Sequence, residues 1–109
     1  MARQDSLQGS LPLMVLTILA RQGPLHGYAI TTKIEAMSDE ALRVEEGSLY
    51  PALHRMEEAK WIKAKWVTTD NNRRARQYEI TLAGRKELQH EETRWRAVTA
   101  AVASVLQRA

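Results

Sequence analysis

The fold of this chain is decided by residues 47–60, GSLYPALHRMEEAK, which carry apolar side chains at helical spacing. Leu49, Leu53 and Met56 fall on one face of a helix, and the opposite face is polar. Pro51 is tolerated only near the start of a helix, so the helix is predicted to begin shortly before it. The sequence therefore predicts a helix with one anchored face and one polar face free for contact. An ordinary solvated helix face has the same pattern.

Two further helices are predicted before this stretch. From Ser10, a residue type that commonly caps helices, apolar residues follow the helical spacing until the turn at Gly23–Pro24. Residues 26–37 then predict a second helix. The first helix is also apolar on its opposite face, at Leu13 and Leu16, and a helix that is apolar all round must be covered on both sides. We expect a second copy of the chain to provide that cover.

A hairpin is predicted after the third helix, because the apolar period there changes from 3.6 to 2. Residues 62–67 and 77–80 are its two strands, joined by a polar loop over residues 68–76. The loop holds three arginines, Arg73, Arg74 and Arg76. Like charges crowded into one turn repel each other, and a phosphate backbone would relieve that repulsion. We expect a basic hairpin tip that contacts nucleic acid, the alternative being a loop that only aids solubility.

A long last helix is predicted from a cap at Thr81 through Gln107. Leu88, Trp95 and Val102 recur in it every seven residues, with valines at intervening positions, which is a coiled-coil pattern. A single copy would expose this seam and the outer face of the first helix, so we expect a homodimer. The predicted dimer interface comprises Leu13, Leu16, Leu88, Trp95, Val98, Val102 and Val105.

These elements predict a fold that is mainly α with a β-hairpin wing: a winged helix-turn-helix followed by a long C-terminal dimerisation helix. Residues 1–80 form the predicted DNA-binding domain and residues 81–109 the dimerisation helix, in one compact unit. In such folds the third helix enters the major groove of double-stranded DNA, and the wing contacts the backbone or the minor groove. The predicted DNA contacts are Ser48, Tyr50, His54 and Arg55 on the helix and Lys65, Arg73 and Arg74 on the wing.

Composition narrows the classes of function. Of 109 residues, 44% are apolar and 27% charged, which is typical of a globular domain, and a net charge of +3 suits a polyanionic partner. The absence of cysteine excludes disulfides, thiol nucleophiles and cysteine-based metal sites. The longest apolar stretch, residues 11–20, is about half the roughly 20 residues that a membrane span needs. We expect a cytoplasmic protein that makes no membrane contact.

Enzyme chemistry finds little support in the sequence. His90–Glu91 resembles the start of a zinc-protease helix, but the residue four after His90 is Arg94, so the second metal ligand is missing. The chain has no glycine-rich phosphate loop, and its three histidines lie far apart in sequence. We therefore predict no enzyme activity, no metal and no cofactor.

Three motifs resemble one protein family. Residues 47–57, GSLYPALHRME, look like the signature of the PadR family of transcriptional regulators. Residues 24–30, PLHGYAI, resemble that family's entry to the second helix, and residues 73–85, RRARQYEITLAGR, resemble its wing and the start of its last helix. The resemblance covers about residues 10–95 and is closest to the short type with a single C-terminal helix. It implies a homodimeric repressor, often ligand-responsive, that binds a palindromic operator.

The resemblance also implies a role for Trp95. In the short type an aromatic residue on the last helix can line a cavity at the dimer interface, and Trp95 occupies the matching place. A planar aromatic effector stacked on Trp95 is one interpretation, and simple packing at the seam is the other. The rival function is a small-molecule-sensing or protein-interaction module that uses this pocket without binding DNA. A salt-dependent shift of operator DNA would separate the two.

Overall fold

A computed structural model describes the backbone of residues 2–109 and the side chains of residues 9–109. The elements in chain order are α1 (Ala2–Gln22), β1 (Leu25–His26), α2 (Gly27–Met37), α3 (Glu46–Glu58), β2 (Ile62–Thr68), β3 (Arg74–Ile80) and α4 (Leu82–Arg108). The predicted fold class, mainly α with a hairpin wing and a long last helix, is confirmed. The structure adds a third, two-residue strand that the sequence analysis missed.

Helix α1 begins well before the predicted cap at Ser10 and passes through Pro12. The prediction of an N-cap at Ser10 is therefore wrong. Gly9 lowers helix propensity by only about 1 kcal/mol relative to alanine, and the helix continues through it. Pro12 removes one backbone donor from the helix, and the packing of α1 against the rest of the chain offsets that loss.

Helix α1 lies at the centre of the protein, in contact with α2, α3, β3 and α4. Leu16 is fully buried in this core, so its prediction as a dimer contact is wrong. Other elements of the same chain, α4 among them, pack against α1 and enclose Leu16 without a second copy. Leu13 remains partly exposed. The core consists of Leu11, Val15, Leu16, Ile18, Leu19, Ile30, Ile34, Val44, Leu49, Ala52, Leu53, Met56, Ile62, Tyr78 and Ile80.

The three strands form an antiparallel sheet in the order β1-β3-β2. Strand β1 pairs Leu25 with Tyr78 and His26 with Gln77, which ties the start of α2 to the wing. His26 also caps α2, because its Nδ1 accepts a hydrogen bond of 3.4 Å from the backbone N–H of Ala29. A two-residue strand is too short to give a periodic signal in the sequence, and this explains why it was missed.

The junction between wing and last helix is fixed at Thr81, which caps α4 as predicted. Its hydroxyl accepts a hydrogen bond of 3.0 Å from the backbone N–H of Gly84 and lies 2.6 Å from the carbonyl of Lys60. A Cβ at Gly84 would lie only 2.1 Å from the carbonyl oxygen of Trp61, so this close approach requires glycine.

Helix α4 has two halves with different surroundings. Its first half packs on α1, and Leu88 lies against the core. From residue 93 onward every residue is exposed. We call residues 9–92 the head and residues 93–109 the tail. Across residues 2–109, none of the helices combines the length and apolar character needed to cross a membrane.

Candidate nucleic-acid interface

The outer surface of helix α3 has two polar flanks, one on each side of the helix. Its inner face is buried in the core through Leu49, Ala52, Leu53 and Met56. Tyr50, His54 and Glu57 are spaced at i, i+4 and i+7, so they share the flank nearer the wing. Ser48 and Arg55 are seven residues apart and share the other flank. The four predicted helix contacts are therefore divided between two sides of α3.

The tip of the wing is a tight turn held by backbone and side-chain bonds. The Thr69 N–H donates to the Arg73 carbonyl at 2.7 Å, and the Asn72 N–H donates to the Thr69 carbonyl at 2.9 Å. Asn72 has a positive φ of 61°, a conformation that asparagine tolerates better than most residues. Arg73 follows directly and is exposed. This turn fixes where the arginines of the wing begin.

One face of the wing is aromatic and cationic. Cross-strand partners share a face of the sheet, and Trp66 on β2 is paired with Arg76 on β3. The Arg74 guanidinium lies 5.0 Å from the Trp66 ring centroid and that of Arg76 lies 5.9 Å away, both within cation–π range. Trp66 is 58% exposed, so it packs within the hairpin and not in the core. Lys65 lies on the opposite face, paired with Gln77.

An ion pair connects the wing to α3. The Nη2 atom of Arg76 donates a 2.9 Å hydrogen bond to Oε2 of Glu57, and the Arg76 guanidinium lies 5.9 Å from the Tyr78 ring centroid. Both partners are partly shielded from solvent. On the same helix, Nε2 of His54 lies 3.5 Å from Oε2 of Glu58, and both of those side chains are exposed. The Arg76–Glu57 pair therefore links the wing to α3.

Between α3, the wing and the start of α2 lies an open cleft of about 550 Å³. It is lined by His26, Gly27, Tyr28, Tyr50, His54, Glu57, Trp66, Arg74, Ala75, Arg76 and Tyr78. Tyr50 leans across it, because a Cβ at Gly27 would lie 2.5 Å from the Tyr50 hydroxyl oxygen. A side chain at position 27 would displace the Tyr50 ring from this position.

Tyr78 forms part of the cleft wall and is only 3% exposed. Burial raises the pKa of its phenol above the ordinary value of 10.0, and nearby Glu57 and Tyr50 raise it further, while Arg76 lowers it. The phenol therefore keeps its proton at neutral pH and remains a hydrogen-bond donor.

The predicted DNA-contact residues are only partly brought together. Tyr50, His54 and Arg74 line the cleft, whereas Arg73 lies at the turn that begins the wing's second strand. Ser48, Arg55 and Lys65 lie outside the cleft. Among the other residues that line the cleft, Tyr28, Trp66 and Tyr78 were assigned no part in DNA binding by the sequence analysis. The period-2 pattern of the two hairpin strands could have been used to derive which residues pair across the hairpin. That pairing would have placed Trp66 opposite Arg76.

The tail carries the predicted seam as an exposed apolar stripe. Trp95 is 49% exposed, and the larger apolar side chains beyond it are exposed to a similar or greater extent. They are Val98, Val102, Val105 and Leu106. Within the described side chains, no three His, Asp or Glu residues are grouped so that they could hold a metal ion.

Three helices, a basic wing and a long last helix define the class of winged helix-turn-helix proteins. The sequence profile of the "Transcriptional regulator PadR-like family" matches residues 15–90. The chain therefore belongs to the PadR-like family of transcriptional regulators, a family of DNA-binding regulators and not of enzymes.

Solved structures of transcriptional regulators agree with this assignment. An uncharacterized 37.1 kDa protein of a Streptomyces fradiae transposon is 40% identical over 79 residues, which are 72% of this chain and 21% of that protein. The chain thus spans about a fifth of that relative. A PadR-like transcriptional regulator from Bacillus cereus is 30% identical, with a TM-score of 0.78 and coverage of 94% of this chain and 97% of that one. A transcriptional regulator from Clostridium thermocellum is 26% identical, with a TM-score of 0.84 and coverage of 92% and 96%.

Proposed function

We propose that the protein is a sequence-specific regulator that binds double-stranded DNA as a homodimer and acts as a repressor. The observation that carries this proposal is the joint surface of α3 and the wing. The 2.9 Å bond between Glu57 and Arg76 holds a polar helix face beside a basic hairpin. A major-groove helix with a neighbouring backbone contact needs these two parts side by side.

The DNA contacts divide into two kinds. Side chains on α3 offer directional hydrogen bonds to base edges or phosphates, while the exposed arginines of the wing offer mainly charge. The proposed contacts are Ser48, Tyr50, His54 and Arg55 on α3 and Lys65, Arg73 and Arg74 on the wing. Arg74 is held by its stacking on Trp66, so it is positioned before DNA arrives. We expect the helix to specify the sequence and the wing to strengthen binding to any duplex.

Homodimerisation is proposed through the tail. The tail carries an apolar stripe and has no buried residue, so covering the stripe with a second tail would remove apolar surface from water, and two-fold symmetry matches the two stripes. Burying one tryptophan removes roughly 150–250 Å² from water. The proposed interface uses Leu13 and Leu88 at its margin and Trp95, Val98, Val102 and Val105 in the seam. Residues 1–80 then serve as the DNA-binding domain and residues 81–109 as the dimerisation helix.

A two-fold dimer predicts the form of the operator. Two α3 helices related by symmetry lie in successive major grooves about 34–36 Å apart, so the operator is an inverted repeat. Binding DNA requires that the protein share a compartment with it, and we propose that it is cytoplasmic.

The test is selection of bound duplexes from a random-sequence library, followed by affinity measurements against salt. We expect enrichment of an inverted repeat whose half-sites are about 10–10.5 base pairs apart, and affinity that falls as salt rises. The matched control is the Arg73→Ala, Arg74→Ala variant, which should flatten the salt dependence by about one unit of slope per lost phosphate contact. Absence of both enrichment and salt-sensitive binding would contradict DNA binding and favour the sensing or protein-interaction module.

A planar aromatic effector is proposed to bind beside Trp95. Its ring is half-exposed on the stripe that a second copy would cover, so a compound inserted between two copies would stack on it. With Trp61 and Trp66 replaced by phenylalanine, planar aromatic compounds should quench the remaining fluorescence. Unchanged emission across a panel of such compounds would leave Trp95 as a packing residue.

A further inference from the structure

The cleft lies where the proposed DNA complex must place a backbone. When one element of a protein lies in the major groove and a second contacts the adjacent backbone or minor groove, a sugar-phosphate strand of the DNA passes between the two elements. Here those elements are α3 and the wing, and the cleft is the space between them. This inference rests on the proposed function and adds a binding site to it.

Tyr78 is the first sign that the cleft receives a polar ligand. Its side chain is 97% buried, yet no hydrogen bond from its hydroxyl to another described residue is formed. Among the described side chains, every fully buried oxygen and nitrogen has a partner, so the Tyr78 hydroxyl must reach solvent. The cleft that Tyr78 lines gives it that access. A protonated phenol in this position donates a hydrogen bond to an acceptor in the cleft.

The second sign is the set of donors around Tyr78. The Tyr50 hydroxyl lies over Gly27 at the N-terminus of α2, where the helix dipole gives a partial positive charge. The exposed Tyr28 lies on the first turn of the same helix and also lines the cleft. Three tyrosines therefore border one space beside a helix end that favours anions.

The charge in the cleft also favours an anion. Arg74 and Arg76 contribute two guanidinium groups, and Glu57 contributes the one carboxylate. Glu57 is bound to Arg76 at 2.9 Å, so its charge is largely compensated and Arg74 remains free of an acidic partner. An anion with several acceptor oxygens matches this combination of neutral donors and one available cation.

We propose that the cleft is the seat for one phosphodiester group of the DNA backbone, held by the Tyr78 and Tyr50 hydroxyls and by Arg74. The phosphate oxygens accept the two phenolic hydrogen bonds, while Arg74 supplies the opposite charge. Tyr50 thus serves as a backbone contact and not as a reader of bases. The same chemistry would suit a free phosphate, which the experiment separates from DNA.

The test removes the hydroxyls without removing the rings. Tyr78→Phe and Tyr50→Phe should each weaken binding to operator and random duplexes alike by about tenfold, as expected for a hydrogen bond to a charged group. The slope of affinity against salt should not change, because no cation is lost. Thr32→Val removes an exposed hydroxyl from α2 outside the cleft and is the matched control. Thermal unfolding of Tyr78→Phe should match the wild type, because that hydroxyl has no protein partner.

A second arm locates the phosphate. Duplexes that carry one neutral methylphosphonate at successive positions should include one position at which Tyr78→Phe no longer weakens binding. If both tyrosine variants bind DNA with wild-type affinity and the binding is salt-sensitive, the seat is overturned and the proposed function remains intact. Tyrosine ring signals in nuclear magnetic resonance that shift with inorganic phosphate, but not with DNA, would also overturn it in favour of a free phosphate. Absence of any salt-sensitive DNA binding would overturn the proposed function and the seat together.

Discussion

The head and the tail of this protein differ in the burial of their apolar side chains. The head buries fifteen apolar residues in one core that α1 crosses, whereas the tail has no buried residue although it carries three valines, a leucine and a tryptophan. Both regions include part of the same helix, α4. The comparison shows that one continuous helix completes the core of its own chain in its first half and carries an exposed apolar stripe in its second.

The largest expected effect compares equivalent truncations in the two regions. Leu16→Ala in the head should lower the free energy of unfolding by about 2–5 kcal/mol, because it opens a cavity in a closed core. Val102→Ala in the tail should act only on association, so its effect on unfolding should depend on protein concentration. Urea unfolding at two protein concentrations measures both. An equal, concentration-independent loss for the two variants would erase the distinction between head and tail.

A charge placed in the tail should have the next largest effect. Val102→Glu should weaken association by about 2–3 kcal/mol, because two-fold symmetry brings both carboxylates to the covered stripe. Ala100→Glu adds the same charge on the opposite face of α4 and should leave association unchanged. Analytical ultracentrifugation measures this. Equal dissociation by the two variants would show that net charge, and not the stripe, controls assembly.

Within the head, the bond between α3 and the wing should affect DNA recognition more than stability. Glu57→Gln should lower the preference for operator over random DNA by about fivefold, near 1 kcal/mol, because the wing loses its fixed position. The cost in unfolding free energy should stay below about 1 kcal/mol for a partly exposed pair. Glu40→Gln removes the same charge from an exposed residue outside α3 and the wing and controls for electrostatics. A preference that both variants change equally would reject the positioning role of Glu57.

The smallest expected effect lies at the boundary between head and tail. Burial and a hydrogen bond with Glu87 raise the pKa of Glu91 above its ordinary value of 4.5, although Arg94 and His90 lower it. A carboxyl whose pKa is raised by folding destabilises the folded state once pH exceeds that pKa. Glu91→Gln should therefore increase stability slightly at neutral pH, with the difference vanishing below about pH 4.5. Thermal unfolding across pH tests this, with Glu92→Gln as the control; a difference that persists in acid would contradict it.

The sequence predicted the elements but not how they face each other. Helices α2, α3 and α4 and the hairpin each carry a local periodic signal or a cap, such as Thr81, that can be recognised without the rest of the chain. The burial of Leu16 depends on the packing of α1 against elements far apart in sequence, such as α4. Local periodicity contains no information about such a contact.

The candidate site shows the same limit. Arginines in the wing and polar residues on α3 were predicted from local crowding and helical spacing. The cleft itself depends on the approach of Tyr50 to Gly27 and on the pairing of β1 with Tyr78. Both are long-range contacts, and Tyr78 was predicted only as a strand residue.

The most direct test of the account is the mass of the free protein, measured by sedimentation equilibrium at micromolar concentration. If the tail is an interface completed by a second copy, the mass is twice 12.4 kDa and returns toward 12.4 kDa in Val102→Glu. A folded wild-type species of 12.4 kDa, stable at that concentration, would contradict the proposed homodimer and the role assigned to the tail.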